Sequence, residues 1–104
     1  MKIINELVEM IDDELEGAEE YAKQALLLHD THPDIAKVYY EISTEEMRHV
    51  DMLHTCVKSQ IEKQRKEHGE PPPAMMAIYE YTHKRHIEEA AEIRGYQAQY
   101  REHM

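Results

Sequence analysis

Cysteine is nearly missing from this chain, with Cys56 the single example in 104 residues. That excludes an intramolecular disulfide, a paired thiolate zinc knuckle and a Cys-x-x-Cys redox pair, and makes core filler the expected role of the thiol. Glycine (3) and proline (4) are also scarce, and three of the prolines are consecutive, so little interrupts a helix. Positive charge is in short supply. Lys and Arg total 12 against 22 Asp and Glu, giving a formal charge of −10; a surface of that sign repels phosphate backbones, which sets nucleic acid aside. Fully apolar runs are short, Ala25 to Leu28 being typical, and far below the length of a membrane span. Met1 to Asn5 leads directly into an acidic amphipathic stretch without the basic and apolar regions of a secretory signal. The expectation is a soluble cytoplasmic protein.

What remains is helix vocabulary: Ala, Glu, Leu, Lys, Met and Gln dominate, and the expected class is all-α. The length suits one domain over residues 1–104, with a core too small for three long helices to cover one another fully, so association is plausible. Helices are expected over about 2–29, 33–67 and 74–101. The first break, Asp30-Thr31-His32-Pro33-Asp34, places Pro33 at a first helical position and Asp34 at the positive end of the next helix. It is short, so the first two helices form an antiparallel hairpin. The second break, His68-Gly69-Glu70-Pro71-Pro72-Pro73, combines a helix-ending glycine with a stiff proline run. The third helix carries Met76, Tyr79, His83, Ile87 and Ala90 on one face, with a looser period than the other two.

Three ionisable residues fall where apolar ones belong. Steps of three and four trace a stripe through the first helix as Ile4, Leu7, Ile11, Glu14, Ala18, Tyr21, Ala25 and Leu28. In the second helix the stripe is Ile35, Tyr39, Ile42, Glu46, His49, Leu53, Cys56 and Gln60. Glu14 precedes the turn by about as much as Glu46 and His49 follow it, so an antiparallel hairpin brings all three to one level. A buried carboxylate without a partner costs several kcal/mol or takes up a proton, so a convergence of this kind asks for a cation. Hard carboxylate oxygens and a borderline imidazole nitrogen suit iron, manganese or zinc.

Spacing alone is weak support. With 17 Glu and 8 His, chance supplies about one Glu-x-x-His step, and the chain has a second, Glu80 to His83. On a third helix folding straight back, His83 lies about 10 Å from the level of His49, so it and His86 read as packing or surface residues, with His83 a lesser ligand candidate. Glu16 is a lesser candidate too, about 200° around the helix from Glu14. Tyr21 and Tyr39 each sit one heptad from a candidate ligand, as core aromatics or as hydroxyls hydrogen-bonded to a carboxylate. Glu19, Glu20 and His54 read as exposed, and His29 and His32 as surface or capping residues. Gly17 is expected to let a neighbouring backbone approach.

Two stretches, Asp13-Glu14-Leu15-Glu16-Gly17-Ala18-Glu19-Glu20-Tyr21 and Glu45-Glu46-Met47-Arg48-His49, resemble the ferritin-like superfamily, especially the rubrerythrin-type di-iron domain and the short encapsulated ferritins. The resemblance covers about the first 60 residues. In that superfamily a Glu on one helix joins a Glu-x-x-His on the next, and two such sets surround a pair of iron ions within a four-helix core. It implies Glu14, Glu46 and His49 as metal ligands, with Glu16 as a neighbour. The chain has one such set rather than two and no cysteine-ligated electron-delivery module. The resemblance therefore implies a ferritin-like four-helix bundle completed by a homodimer or higher homo-oligomer, with a di-iron site shared between chains that oxidises Fe(II) with dioxygen or peroxide. The rival reading is a non-catalytic helical interaction module holding a structural ion or none.

Overall fold

A computed structural model describes residues 2–104, and the described chain is all-helical: α1 (Lys2–Leu28), α2 (Pro33–His68) and α3 (Pro73–Arg101). Proline opens both later helices, where its missing N–H leaves no bond unmade and its fixed φ already suits the helix. Between α1 and α2 the turn is closed by backbone bonds, His32 N–H to the Leu28 carbonyl at 2.8 Å and Ala36 N–H to the His32 carbonyl at 2.9 Å. His32 offers no side-chain cap; its Nδ1 lies 3.0 Å from Thr31 Oγ1 instead. Asp34 in the first turn of α2, and Arg65, Lys66 and His68 in its last, match the helix dipole.

Gly69 ends α2 with φ of +80°, a left-handed conformation that a Cβ makes costly. Its N–H reaches the Arg65 carbonyl at 2.9 Å. Arg65 then ties the turn down, donating to Glu62 at 2.7 Å and to Glu70 at 3.2 Å. At about 1.5 Å per residue, α2 is about 54 Å long, which matches the 55 Å long axis of the molecule. The central helix sets its length.

α1 and α2 form the antiparallel hairpin, and α3 folds back along it, packing chiefly on α1. One apolar cluster joins Ile4, Ile11, Leu15 and Ala18 of α1, Met47, Val50 and Val57 of α2, and Ala90 and Ile93 of α3. A smaller one near the first turn joins Ala25, Ala36 and Tyr100, with Tyr39 and Tyr40 against it. Tyr100 stacks on Tyr40 with ring centres 4.8 Å apart. Truncating a fully buried side chain such as Leu15 to Ala would cost about 2–5 kcal/mol.

Because α3 covers one side of the hairpin, the buried face of α2 runs Ala36, Ser43, Met47, Val50 and Val57. This lies one residue on from the stripe through Ile35, Ile42, Glu46 and His49. That stripe is the border of the uncovered side: Ile35 and Cys56 are exposed, and Ile42, Glu46 and Leu53 are half-buried. Cys56 is therefore not core filler. In α3 the buried face is His86, Ala90, Ile93, Gln97 and Tyr100, while Ile87, expected inside, is exposed. Two polar partners on the hairpin, Asp12 and Ser43, pull that face inward.

Candidate functional site

Glu14 and His49 meet across the hairpin, with His49 Nδ1 3.3 Å from Glu14 Oε2. One residue comes from the middle of α1 and the other from the middle of α2, so their level is fixed by the short turn. Both side chains remain partly open to solvent, at 32% for Glu14 and 46% for His49. Two clefts meet at this pair. Met10, Asp13, Met52 and Leu53 line one beside it; Val38, Ile42, Glu45 and Glu46 line the other.

Glu46 stands one turn before His49, and its two carboxylate oxygens differ. Oε2 is sealed from solvent with no hydrogen-bond partner, the single such side-chain atom among the described residues. It lies against Gly17, where any Cβ would collide with it. Glycine in a helix interior costs about 1 kcal/mol relative to alanine, so its presence needs a local reason, and the approach of this carboxylate supplies one. The expected close neighbour at Gly17 was a backbone; the structure puts a side chain there.

Burial pushes the Glu46 carboxyl above the usual carboxylate range, and the charges of Glu14 and, less strongly, Glu20 push it the same way, while His49 opposes them. An orphaned buried oxygen, a neighbouring carboxylate and an imidazole make up a donor set that a divalent cation would satisfy. Within the single chain that set is incomplete. Among the described residues no group of three or more His, Cys, Asp or Glu side chains is arranged to hold an ion. The residues present fit part of a metal's coordination, on a face their own chain leaves open.

The lesser candidates separate from this site. Glu16 lies with Asp12, Glu19, Arg85 and Glu89 in a polar cleft on the α3 side of α1. Tyr21 and Tyr39 pack on each other with ring centres 5.4 Å apart, and the hydrogen bonds of the described residues include none from either hydroxyl to Glu14 or Glu46. His83 stacks on His54 at 4.3 Å, so His54 is half-buried rather than exposed. Burial and then the His83 charge lower its pKa. His29 stacks on His103 at 3.9 Å, and Glu19 is paired with Lys23 at 3.1 Å.

Sequence reasoning missed two polar contacts made by α3. His86 is buried and its Nε2 lies 2.6 Å from Asp12 Oδ1, to which Arg85 also donates at 3.1 Å. Gln97 donates to Ser43. Both join residues more than 50 positions apart, and no local pattern announces them. Compared with protein-family models, curated proteins and solved structures, the chain matches none.

Proposed function

We propose that the chain is a ferritin-like di-metal carboxylate protein whose site is completed by a second copy, and that it binds iron and oxidises Fe(II) with dioxygen or peroxide. The observation that carries the reading is the sealed, unpartnered Oε2 of Glu46 beside the Glu14–His49 pair. A buried anion without hydrogen bonds is costly, and a cation is the partner that removes that cost without altering the fold. Glu14 and Glu46 would supply oxygen ligands and His49 a nitrogen ligand. A two-fold axis would double these to four carboxylates and two imidazoles, whose charge balances two divalent cations. Met10, Val38 and Met52, each more than half exposed around the same residues, would pack against the second copy and keep bulk water out. Bound there, two iron ions would supply the redox chemistry towards dioxygen or peroxide, with manganese or zinc as the other metals that suit these donors.

The rival reading keeps the second copy and drops the chemistry. Its support is that no single-chain group of three ligands is arranged for an ion among the described residues; Glu14, Glu46 and His49 would then set the pairing register of an interaction module. Elemental analysis of protein purified without added metal separates the two, followed by oxygen consumption on addition of ferrous iron. The proposal expects two metals per pair of chains and consumption above the buffer rate. Metal-free protein that takes up no iron, manganese or zinc on titration would sink it.

A further inference from the structure

Histidines join α3 and the residues after it to the hairpin at three places, and at two of them a carboxylate is in contact. His86 Nε2 lies 2.6 Å from Asp12 Oδ1. Beyond the end of α3, His103 stacks on His29, whose Nδ1 lies 3.0 Å from Asp30 Oδ1. The third place has no such partner. His54 of α2 and His83 of α3 lie face to face, with ring centres 4.3 Å apart and planes inclined by 6°. Among the described residues the histidines that meet a carboxylate are His29, His49, His68 and His86, and neither ring of this stack is one of them.

The two halves of α3 are also held unequally. Its buried residues are His86, Ala90, Ile93, Gln97 and Tyr100, so residues 73–85 bury none. The later half adds the Gln97–Ser43 hydrogen bond and the stack of Tyr100 on Tyr40. The earlier half rests on the half-buried Met76 and Tyr79 and on the His54–His83 stack. A cleft of about 280 Å³ lies between it and α2, lined in part by Val57, Lys58, Ile61 and Glu80. A helical segment with so little buried surface opens locally at lower cost than the rest of its helix.

Neutral imidazoles stack, whereas two imidazolium rings at this separation repel each other. Burial and then the charge of His83 lower the His54 pKa; Lys58 and His86 act the same way more weakly, and Asp51 opposes them. Glu80 of α3 shares the cleft and offsets part of the positive charge without pairing with either ring. On α1, Asp12 is already taken by His86 and Arg85. Because docked His54 ionises below the ordinary 6.5, a released state binds more protons, and acid favours release increasingly as pH falls through 6.5. We propose that residues 73–85 form an acid-released flap: protonation of the His54–His83 pair lifts this segment from the hairpin and uncovers Val57 and Ile61, while the second half of α3 stays docked. Asp12 beside His86 and Asp30 beside His29 supply the counter-charge that keeps that half in place. The flap does not depend on the proposed metal site.

The test is amide hydrogen exchange of the full, metal-free chain at pH 7.5 and 5.5, read by nuclear magnetic resonance and corrected for the intrinsic pH dependence of exchange. Between these values the opening of residues 78–85 should increase by about tenfold, the limit for one imidazole that ionises at an ordinary 6.5 only when released. Residues 90–97 should change by less than about twofold, since nothing in their contacts gains a proton on release. His54→Phe keeps an aromatic face against His83 and removes the second charge; a protonated His83 is then attracted to the ring, and the acid-induced opening should vanish. If that variant does not fold, His83→Phe is read the same way. An increase below about twofold in wild type, an equal increase in both halves of α3, or a tenfold increase that survives the Phe substitution overturns the inference.

Discussion

The two sides of the α1–α2 hairpin treat polar groups in opposite ways. On the side covered by α3, Ser43 has both a donor and an acceptor, and Asp12 receives His86 and Arg85. On the uncovered side, among the described residues, Glu14 and His49 are bonded only to each other and Glu46 Oε2 has no hydrogen-bond partner. Both sides place ionisable or hydrogen-bonding residues among apolar ones, but among the described residues only the uncovered side leaves a buried side-chain oxygen without a partner. A polar residue in an apolar stripe therefore has two explanations, a partner elsewhere in the chain or a partner from outside. Satisfaction of its hydrogen bonds tells them apart.

The largest expected contrast is in metal uptake. Glu46→Ala and His49→Ala should each abolish stoichiometric binding of iron or zinc, while Glu16→Ala, on the α3 side, should leave most of it. Elemental analysis after metal loading makes the comparison, and equal loss in all three would mean that the two sides have been assigned the wrong way round.

On the covered side the expected effect is on stability. Asp12→Ala leaves the His86 imidazole, 8% exposed, without its partner, at a cost of about 1–3 kcal/mol. Glu14→Ala in metal-free protein leaves a half-exposed His49 that water can satisfy and should cost well under 1 kcal/mol, roughly the value of an exposed ion pair. Urea denaturation of the two variants side by side would show whether the covered side is the load-carrying one.

Gly17→Ala should move the two properties in opposite directions. Helix propensity favours alanine by up to about 1 kcal/mol, and the displaced Glu46 carboxylate gains access to water, so the metal-free protein should melt at the same temperature or higher. Metal affinity should fall because Glu46 no longer rests where Gly17 allowed it. A variant that binds metal as well as wild type would remove Gly17 from the site.

The smallest contrast is in pH dependence, and the two sides carry opposite signs. The folded pKa of Glu46 is raised above 4.5, so its ionisation destabilises the metal-free fold at neutral pH, and that penalty fades as pH falls through the folded value towards 4.5. The folded pKa of His54 is lowered below 6.5, by burial and then by His83. Its penalty is absent above 6.5 and grows as pH falls below it. Thermal melts between pH 7.5 and 5 should therefore fall more steeply with acid in Glu46→Gln than in wild type, and less steeply in His54→Phe. Parallel profiles for all three proteins would show that neither group governs acid stability.

Much of the architecture could be read from punctuation. Pro33, Gly69 and the prolines at 71–73 act through local backbone geometry, and the helices break there. The common level of Glu14 and His49 was also legible, because a short turn fixes antiparallel register by counting. The helix faces were less so: stripes one residue apart, Ile42–Glu46–His49 and Ser43–Met47–Val50, differ by only about 100° around the helix. Which of them turns inward depends on where α3 lies. That depends in turn on Asp12–His86 and Ser43–Gln97, contacts between residues far apart in the chain. Gly17 carried a signal, a glycine inside a helix, but not the identity of the group that approaches it.

Cys56 follows His49 by two turns on the stripe bordering the uncovered side, and it is exposed. As the single thiol of the protein it makes that surface chemically addressable without mutation. Under the proposed pairing, the rate at which a small maleimide reacts there would be a clock for how often the side stands open: fast in dilute single chains, slowed in proportion to the fraction of hairpins that a second copy covers, and readable at successive protein and metal concentrations from mass alone.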